Sequence, residues 1–163
     1  KSEIKYSEIR NRIFLNPKSE IRNQIFRNPK SAIRNQKGGD MTKKIMILED
    51  DEAIAELMRF YLEEEGFQVF ISSKGGGFVD RVAEIQPDLI SLDIMLPDTD
   101  GFSIFKMLQQ DERTRDIRII FVTVKEGDKE KGIKMGASGY IVKPFKEDEL
   151  KETIKAILGK EIS

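Results

Sequence analysis

Two patterns of hydrophobic and polar positions follow one another in turn along residues 43–159. Short apolar runs, typical of strands buried on both faces, are followed by stretches whose apolar residues recur at helical spacing. The predicted strands are KIMILE (44–49), FQVFI (67–71), DLISLD (88–93), IRIIFVT (117–123) and GYIVK (139–143). The predicted helices cover residues 51–66, 78–87, 102–111, 128–136 and 146–158. Strict alternation of strands and helices predicts an α/β fold with a parallel sheet covered on both faces.

The ends of the predicted strands carry the chemistry of the chain. Four of the five strands end in charged or hydroxyl side chains, namely Glu49-Asp50-Asp51, Asp93, Thr123 and Lys143-Pro144. The second strand ends on the less distinctive pair Ser72-Ser73. Ligands of open α/β sheets bind beyond the carboxyl ends of the strands, so we expect the four polar ends to form one site.

The residue types at these strand ends suit phosphate chemistry. Clustered carboxylates repel one another unless a cation joins them. The chain contains neither histidine nor cysteine, which excludes an imidazole base and the usual zinc ligands. A cation held by oxygen alone would be hard, such as Mg²⁺ or Ca²⁺. Together with the ammonium of Lys143 and the hydroxyl of Thr123, this set predicts that Asp93 is a nucleophile that forms an acyl phosphate.

Three further acids have an ordinary interpretation. Asp98, Asp100 and Asp148 stand near predicted turns and helix starts, where carboxylates commonly cap helices or stabilise turns. We therefore expect a local structural role for them.

Four segments in this order resemble the receiver domain of two-component response regulators, of the stand-alone, single-domain type. They are ILEDDEAI, LDIMLPDTDGF, IIFVT and GASGYIVKPF, and the resemblance covers residues 43–159. It implies a flavodoxin-like (βα)5 three-layer sandwich with a parallel sheet of order 2-1-3-4-5. We expect residues 41–163 to form this receiver domain.

The resemblance also implies a phosphorylation site that depends on Mg²⁺. Asp93 would be the phosphoacceptor. Asp50 and the backbone carbonyl of Met95 would hold Mg²⁺ together with Asp93, and Glu49 would assist through water. The domain would not be an enzyme beyond catalysing its own phosphorylation and dephosphorylation.

A switch is implied by the same resemblance. Thr123 would bind a phosphoryl oxygen, and Lys143 would pair with the phosphoryl group, positioned by a cis peptide bond to Pro144. Tyr140 matches the aromatic residue that turns inward when Thr123 moves.

The partners expected from the resemblance are proteins. The phosphoryl donor would be a sensor histidine kinase or a phosphotransfer protein. The output would be the face of the fourth helix, fifth strand and fifth helix, acting on an unidentified downstream protein by contact or by phosphorelay. Dimerisation through that face on phosphorylation is left open. The receiver domain is expected to be cytoplasmic, with no direct nucleic-acid binding and no membrane insertion.

Three other kinds of protein share some of these features. A pseudo-receiver that binds proteins without phosphorylation stays open, because Val124 could narrow access to Asp93 and only nineteen residues separate Thr123 from Lys143. A haloacid dehalogenase-type phosphatase needs an acid two residues after its nucleophile, where this chain has Met95. A nucleotide-binding module needs a phosphate loop after the first strand, where the acidic EDDEA would repel phosphate.

The first 40 residues differ from the rest of the chain. They carry ten Lys/Arg and four Asp/Glu, a net charge of +6, whereas residues 41–163 carry 18 and 25, a net charge of −7. SEIRN at 7–11 returns at 19–23 and as SAIRN at 31–35, and Pro17 and Pro29 interrupt any helix. We expect one of two explanations for these residues. They form a disordered basic arm that binds nucleic acid or anionic lipid, or they are encoded by repetitive DNA upstream of Met41 that is not natively translated. We favour the second explanation.

Overall fold

The computed structural model describes residues 42–159. The predicted arm at residues 1–40 and the last four residues of the chain lie outside the described residues. Within residues 42–159, no helix combines the length and apolar character that crossing a membrane requires.

Five strands and five helices alternate along this part of the chain. The strands are β1 (Lys44–Leu48), β2 (Gln68–Ser72), β3 (Leu89–Leu92), β4 (Arg118–Thr123) and β5 (Gly139–Val142). The helices are α1 (Glu52–Glu64), α2 (Phe78–Ile85), α3 (Gly101–Gln110), α4 (Lys129–Lys134) and α5 (Glu147–Gly159), with a short 3-10 turn before α4 (Glu126–Asp128). The predicted elements are confirmed, and their bounds differ from the prediction by at most two residues.

The five strands form one parallel sheet in the order β2-β1-β3-β4-β5. The order expected from the resemblance is therefore confirmed. Because every strand runs the same way, the carboxyl ends of β1, β3, β4 and β5 share one edge of the sheet.

Side chains on the two faces of the sheet build two separate hydrophobic clusters. Ile45 and Ile47 of β1 belong to the cluster that includes residues of α1 and α5. Met46 and Leu48 belong to the cluster that includes residues of α2 and α3. All four residues are at most 1% exposed. Neighbouring residues of the strand point to opposite faces of the sheet, and because both faces are buried, the sequence of the strand is a continuous apolar run.

Two acidic helix caps fix the loops that leave β1 and β3. Asp51 caps α1, and its carboxylate accepts hydrogen bonds from the backbone N–H of Ala53 and Ile54 at 3.0 and 3.3 Å. Asp100 caps α3 and accepts a hydrogen bond from the N–H of Ser103 at 3.0 Å. The predicted capping role of Asp100 is confirmed, whereas Asp148 lies inside the first turn of α5.

Candidate functional site

Glu49 and Asp50 follow the last residue of β1. The N–H of Glu49 donates to the carbonyl of Ser72 at 3.0 Å, which continues the pairing with β2 by one residue. The cap formed by Asp51 then turns the chain into α1. As a result Glu49 is buried and Asp50 is exposed at the same edge of the sheet.

Asp93 follows the last residue of β3 and is held by backbone hydrogen bonds. Its N–H donates to the carbonyl of Leu48 at 3.0 Å, and its Oδ1 accepts a hydrogen bond from the N–H of Met95 at 3.0 Å. The loop of residues 94–100, which we call the acceptor loop, is closed at its base by the Gly101 N–H, which donates to the carbonyl of Ile94 at 2.8 Å. The side chain of Asp93 is only 6% exposed.

Lys143 joins the two buried acids. Its N–H donates to the carbonyl of Thr123 at 2.8 Å, which continues the pairing of β5 with β4. Its Nζ lies 2.9 Å from Oδ2 of Asp93 and also donates a buried hydrogen bond to Oε1 of Glu49. The peptide bond between Lys143 and Pro144 is cis, as expected.

Thr123 and Tyr140 lie on the neighbouring strands β4 and β5. Thr123 is fully buried, and its Oγ1 accepts a long hydrogen bond of 3.4 Å from the N–H of Lys125. The ring of Tyr140 packs against Phe121 with a centroid distance of 6.0 Å, and its hydroxyl donates to the carbonyl of Lys125. Lys125 therefore contacts both expected switch residues.

The electrostatics of the site are dominated by burial. The pKa of Glu49 is raised to about 8, mainly by burial and in part by the neighbouring Asp93, while Lys143 opposes the rise. Burial alone would also raise the pKa of Asp93, but hydrogen bonds from Glu49, Lys143 and the Met95 N–H outweigh it and hold that pKa below its usual value. Glu49 is therefore the carboxyl that keeps a proton at neutral pH, and Asp93 is the ionised one.

The acidic residues fit a hard divalent cation. Carboxylate oxygens of Glu49, Asp50 and Asp93 all lie within 4.8 Å of one another. Oε2 of Glu49 is buried and has no hydrogen-bond partner among residues 42–159. Oxygen ligands of this kind suit Mg²⁺, and a cation would relieve the conflict that raises the pKa of Glu49.

The structure brings Glu49, Asp50, Asp93 and Lys143 together, with Thr123 bonded through its backbone to Lys143. Tyr140 stands apart from the acids and contacts Phe121 and Lys125. The prediction for Asp98 as a local turn or cap residue is wrong, because its carboxylate accepts hydrogen bonds from Gly75 and Gly76, in the loop after β2. No signal within the segment around Asp98 points to this distant contact.

Comparison with known proteins identifies the family. The model of the response regulator receiver domain family matches residues 45–155. The phosphate regulon transcriptional regulatory protein PhoB of Escherichia coli strain K12 is 38% identical over 120 residues, which are 72% of this chain and 52% of PhoB. The alkaline phosphatase synthesis transcriptional regulatory protein PhoP of Bacillus subtilis is 37% identical over 118 residues, 72% of this chain and 49% of PhoP. The chain thus spans about half the length of these curated relatives.

Solved structures agree with this result. A CheY-like response regulator receiver domain protein of Methanospirillum hungatei JF-1 has a TM-score of 0.68 at 28% identity, and the match covers 75% of this chain and 98% of that one. The receiver domain of sensor histidine kinase PA1611 of Pseudomonas aeruginosa PAO1, solved with a magnesium ion coordinated in the active site cleft, has a TM-score of 0.66 at 27% identity. That match covers 73% of this chain and 99% of the other.

The chain therefore belongs to the response regulator receiver domain family. Receiver domains of two-component systems are phosphorylation-dependent signalling modules rather than classical enzymes.

Proposed function

We propose that residues 41–163 form a receiver domain in which Asp93 accepts a phosphoryl group and thereby switches a signalling surface. One observation carries the proposal: the buried ammonium of Lys143 lies 2.9 Å from Oδ2 of Asp93, with Glu49 and Asp50 beside it. A carboxylate kept ionised, next to a buried cation and two further acids, suits attack on phosphorus.

The proposed reaction is phosphoryl transfer to a carboxylate oxygen. An oxygen of Asp93 forms a bond to the phosphorus of a phosphohistidine or acyl phosphate while the bond from phosphorus to the donor nitrogen or oxygen breaks. The bonding pair leaves with the donor. Lys143 stays beside the new acyl phosphate and offsets its charge, and the hydroxyl of Thr123 donates to a phosphoryl oxygen.

Mg²⁺ is the proposed cofactor of this site. Asp50, Asp93 and the backbone carbonyl of Met95 would hold it, with Glu49 assisting through water. When bound there, it would neutralise charge on the phosphoryl oxygens. The geometry that supports this assignment is the close approach of the three acids.

The output of the switch is proposed to run from Thr123 to Tyr140. Both residues contact Lys125. If the Thr123 hydroxyl turns towards a phosphoryl group, it gives up the hydrogen bond that it accepts from the Lys125 N–H and donates one to a phosphoryl oxygen. The Tyr140 hydroxyl holds the carbonyl of the same residue, in the segment that leads into α4. A change at Asp93 would thereby reach the face of α4, β5 and α5 by a two-state shift.

The proposed donor is a sensor histidine kinase or phosphotransfer protein, and the proposed target is a protein that reads the α4, β5 and α5 face or accepts the phosphoryl group onward. The phosphorylation-independent alternative rested on Val124 and on the short segment of nineteen residues between Thr123 and Lys143, and Val124 is 58% exposed. Because that side chain extends into solvent and every expected acid is in place, we favour the phosphorylated switch.

Intact mass spectrometry tests the proposed function directly. The chain is incubated with a small acyl phosphate such as acetyl phosphate, with and without Mg²⁺. We expect a gain of one phosphoryl group that requires Mg²⁺. Phosphotransfer from purified histidine kinases follows if the small donor fails. No gain from either source would contradict the proposal and favour a pseudo-receiver.

The affinity of the site for Mg²⁺ is expected to rise with pH. Glu49 has a pKa of about 8 in the cation-free protein and is therefore protonated below that pH. A bound cation favours the carboxylate form, so binding displaces the proton, and raising the pH favours binding. We expect a gain of up to about tenfold per pH unit that levels off above about pH 8.

Isothermal titration calorimetry at several pH values measures this dependence. Glu49→Gln serves as the control, because its side chain cannot lose a proton and its affinity should change much less with pH. Equal slopes for the parent and the variant would show that Glu49 is not the titrating group.

A further inference from the structure

One carboxylate joins two loops at the edge of the sheet that carries the acids. Oδ1 of Asp98 accepts a hydrogen bond from the N–H of Gly75 at 3.0 Å, and Oδ2 accepts one from the N–H of Gly76 at 2.9 Å. Asp98 lies in the acceptor loop after β3, and the two glycines lie in residues 73–77, which we call the glycine loop, after β2. Each carboxylate oxygen therefore has its own backbone donor.

The position of this link follows from the strand order. β1 lies between β2 and β3 in the sheet, so a link from the loop after β2 to the loop after β3 spans the end of β1. Neighbouring strands are about 4.8 Å apart, and the link bridges two such spacings. Glu49 and Asp50 leave the sheet at that strand end.

The two loops also fit against each other sterically. A Cβ atom built on Gly75 would lie 2.4 Å from Cγ2 of Thr99 and 3.1 Å from Cδ1 of Ile104. A Cβ atom on Gly76 would meet only Oδ2 of Asp98, at an ordinary contact distance of 3.6 Å. A Cβ atom at position 75 would therefore require the side chains of Thr99 and Ile104 to move, whereas one at position 76 would be accommodated.

The glycine loop is itself fixed by the core. Phe78, the first residue of α2, is 1% exposed, and its N–H donates to the carbonyl of Gly75 at 3.1 Å. The two N–H donors are thus presented by a segment that cannot drift without disturbing a buried aromatic side chain.

The acceptor loop carries the backbone that surrounds Asp93. Its base is closed by the bond from Gly101 to Ile94 and by a short antiparallel bridge between Met95 and Asp100. The tip of the loop, around Asp98, is joined to the glycine loop by the two bonds described above. Losing them would loosen the tip of the loop and thereby the backbone next to Met95.

We propose that Asp98 is a positioning residue for the cation site: it clamps the acceptor loop to the glycine loop and thereby holds the backbone of Met95 in place. The inference rests on the proposed function of Asp93, and it adds a residue that touches neither the phosphoryl group nor the cation. Residues that orient ligands in this way affect cation affinity although they do not bind the cation themselves.

The charge state of Asp98 supports the clamp at neutral pH. Hydrogen bonds from the N–H groups of Gly75 and Gly76 hold the pKa of this carboxyl below its usual value. At neutral pH the side chain is therefore a carboxylate, and both of its oxygens can accept hydrogen bonds.

Four single variants and one double variant of the full chain test the clamp by Mg²⁺ titration in a calorimeter. Asp98→Ala removes both acceptors, and Gly75→Ala crowds Thr99 of the acceptor loop while keeping the carboxylate. We expect each to weaken Mg²⁺ binding by about 3- to 10-fold, and their effects to be less than additive in the double variant. Asp98→Asn, which keeps one acceptor oxygen, should lie between. Gly76→Ala is the matched control and should remain within about twofold of the parent.

Amide hydrogen exchange by NMR provides a readout that needs neither cation nor donor. In Asp98→Ala and Gly75→Ala, the N–H of Met95 should exchange at least about tenfold faster than in the parent, with no such change in Gly76→Ala. A purely structural role would instead lower the unfolding midpoint while leaving Mg²⁺ affinity and Met95 exchange unchanged.

The outcomes separate this inference from the proposed function. If the parent binds Mg²⁺ and Asp98→Ala binds it equally well, the clamp is wrong and the proposed function stands. Equal losses in Gly75→Ala and Gly76→Ala would also overturn the clamp, because its steric basis distinguishes the two positions. If the parent itself binds no Mg²⁺, the proposed function and the inference fall together.

Discussion

Replacing Asp93 by asparagine is expected to abolish phosphoryl uptake completely. The amide has no negatively charged oxygen to attack phosphorus, and the loss therefore does not depend on which donor is used. The fold should persist, because the amide oxygen can still accept the hydrogen bond from the N–H of Met95 that Oδ1 accepts in the parent. Intact mass after incubation with Mg²⁺ and acetyl phosphate measures the result, and a cooperative unfolding curve shows that the variant is folded.

The matched control is Asp148→Asn, which makes the same chemical change on an exposed carboxylate in the first turn of α5. It should take up one phosphoryl group as the parent does. Uptake by Asp93→Asn, followed by peptide mapping to another residue, would show that Asp93 is not the acceptor.

Replacing Gly101 by alanine is expected to damage both stability and phosphorylation. A Cβ atom at this position would lie 2.2 Å from the backbone carbonyl oxygen of Asp93 and 2.8 Å from Cα of Ile94. The clash is with backbone and not with the end of a flexible side chain, so it is relieved only by moving the acceptor itself. We expect a loss of about 3 kcal/mol in the free energy of unfolding and a phosphorylation rate lower by on the order of 100-fold.

Urea unfolding and the time course of the mass gain measure the two effects of Gly101→Ala. Gly127→Ala is the control, because a Cβ atom there meets no atom within 4 Å. Its unfolding free energy should stay within about 0.5 kcal/mol of the parent. A Gly101→Ala variant as stable and as active as the parent would mean that the loop after β3 adapts more readily than its contacts indicate.

The fold and much of the site could be predicted from the sequence because both follow from local patterns. Apolar runs such as KIMILE predict strands that are buried on both faces. Parallel strands place their final residues at the same edge of the sheet. Glu49, Asp93 and Lys143 therefore meet although the first and the last are 94 positions apart in the chain. The strand order was expected from the resemblance of the motifs to those of receiver domains.

Other properties of the site depend on distances and burial that no local pattern contains. The sequence indicated a cluster of carboxylates that repel one another, but which of them has the raised pKa, Glu49 and not Asp93, follows from how deeply each is buried and from the Met95 N–H. The contact of Asp98 with the glycine loop was missed because an acid beside a turn is ordinarily explained by its own neighbours. A glycine run is likewise ordinarily interpreted as a flexible loop, and only the packing against Thr99 shows that a side chain at Gly75 would be crowded.

The division of the core into two clusters has a consequence for how such a chain can diversify. Phe102 and Phe121 belong to one cluster together with Ile94 of the acceptor loop, and the buried residues of α1 and α5 belong to the other. The sheet acts as a partition between them. Substitutions that reshape the α1 and α5 side for a new binding partner can therefore accumulate without repacking Phe102 and Phe121, so that recognition and chemistry are free to evolve at different rates.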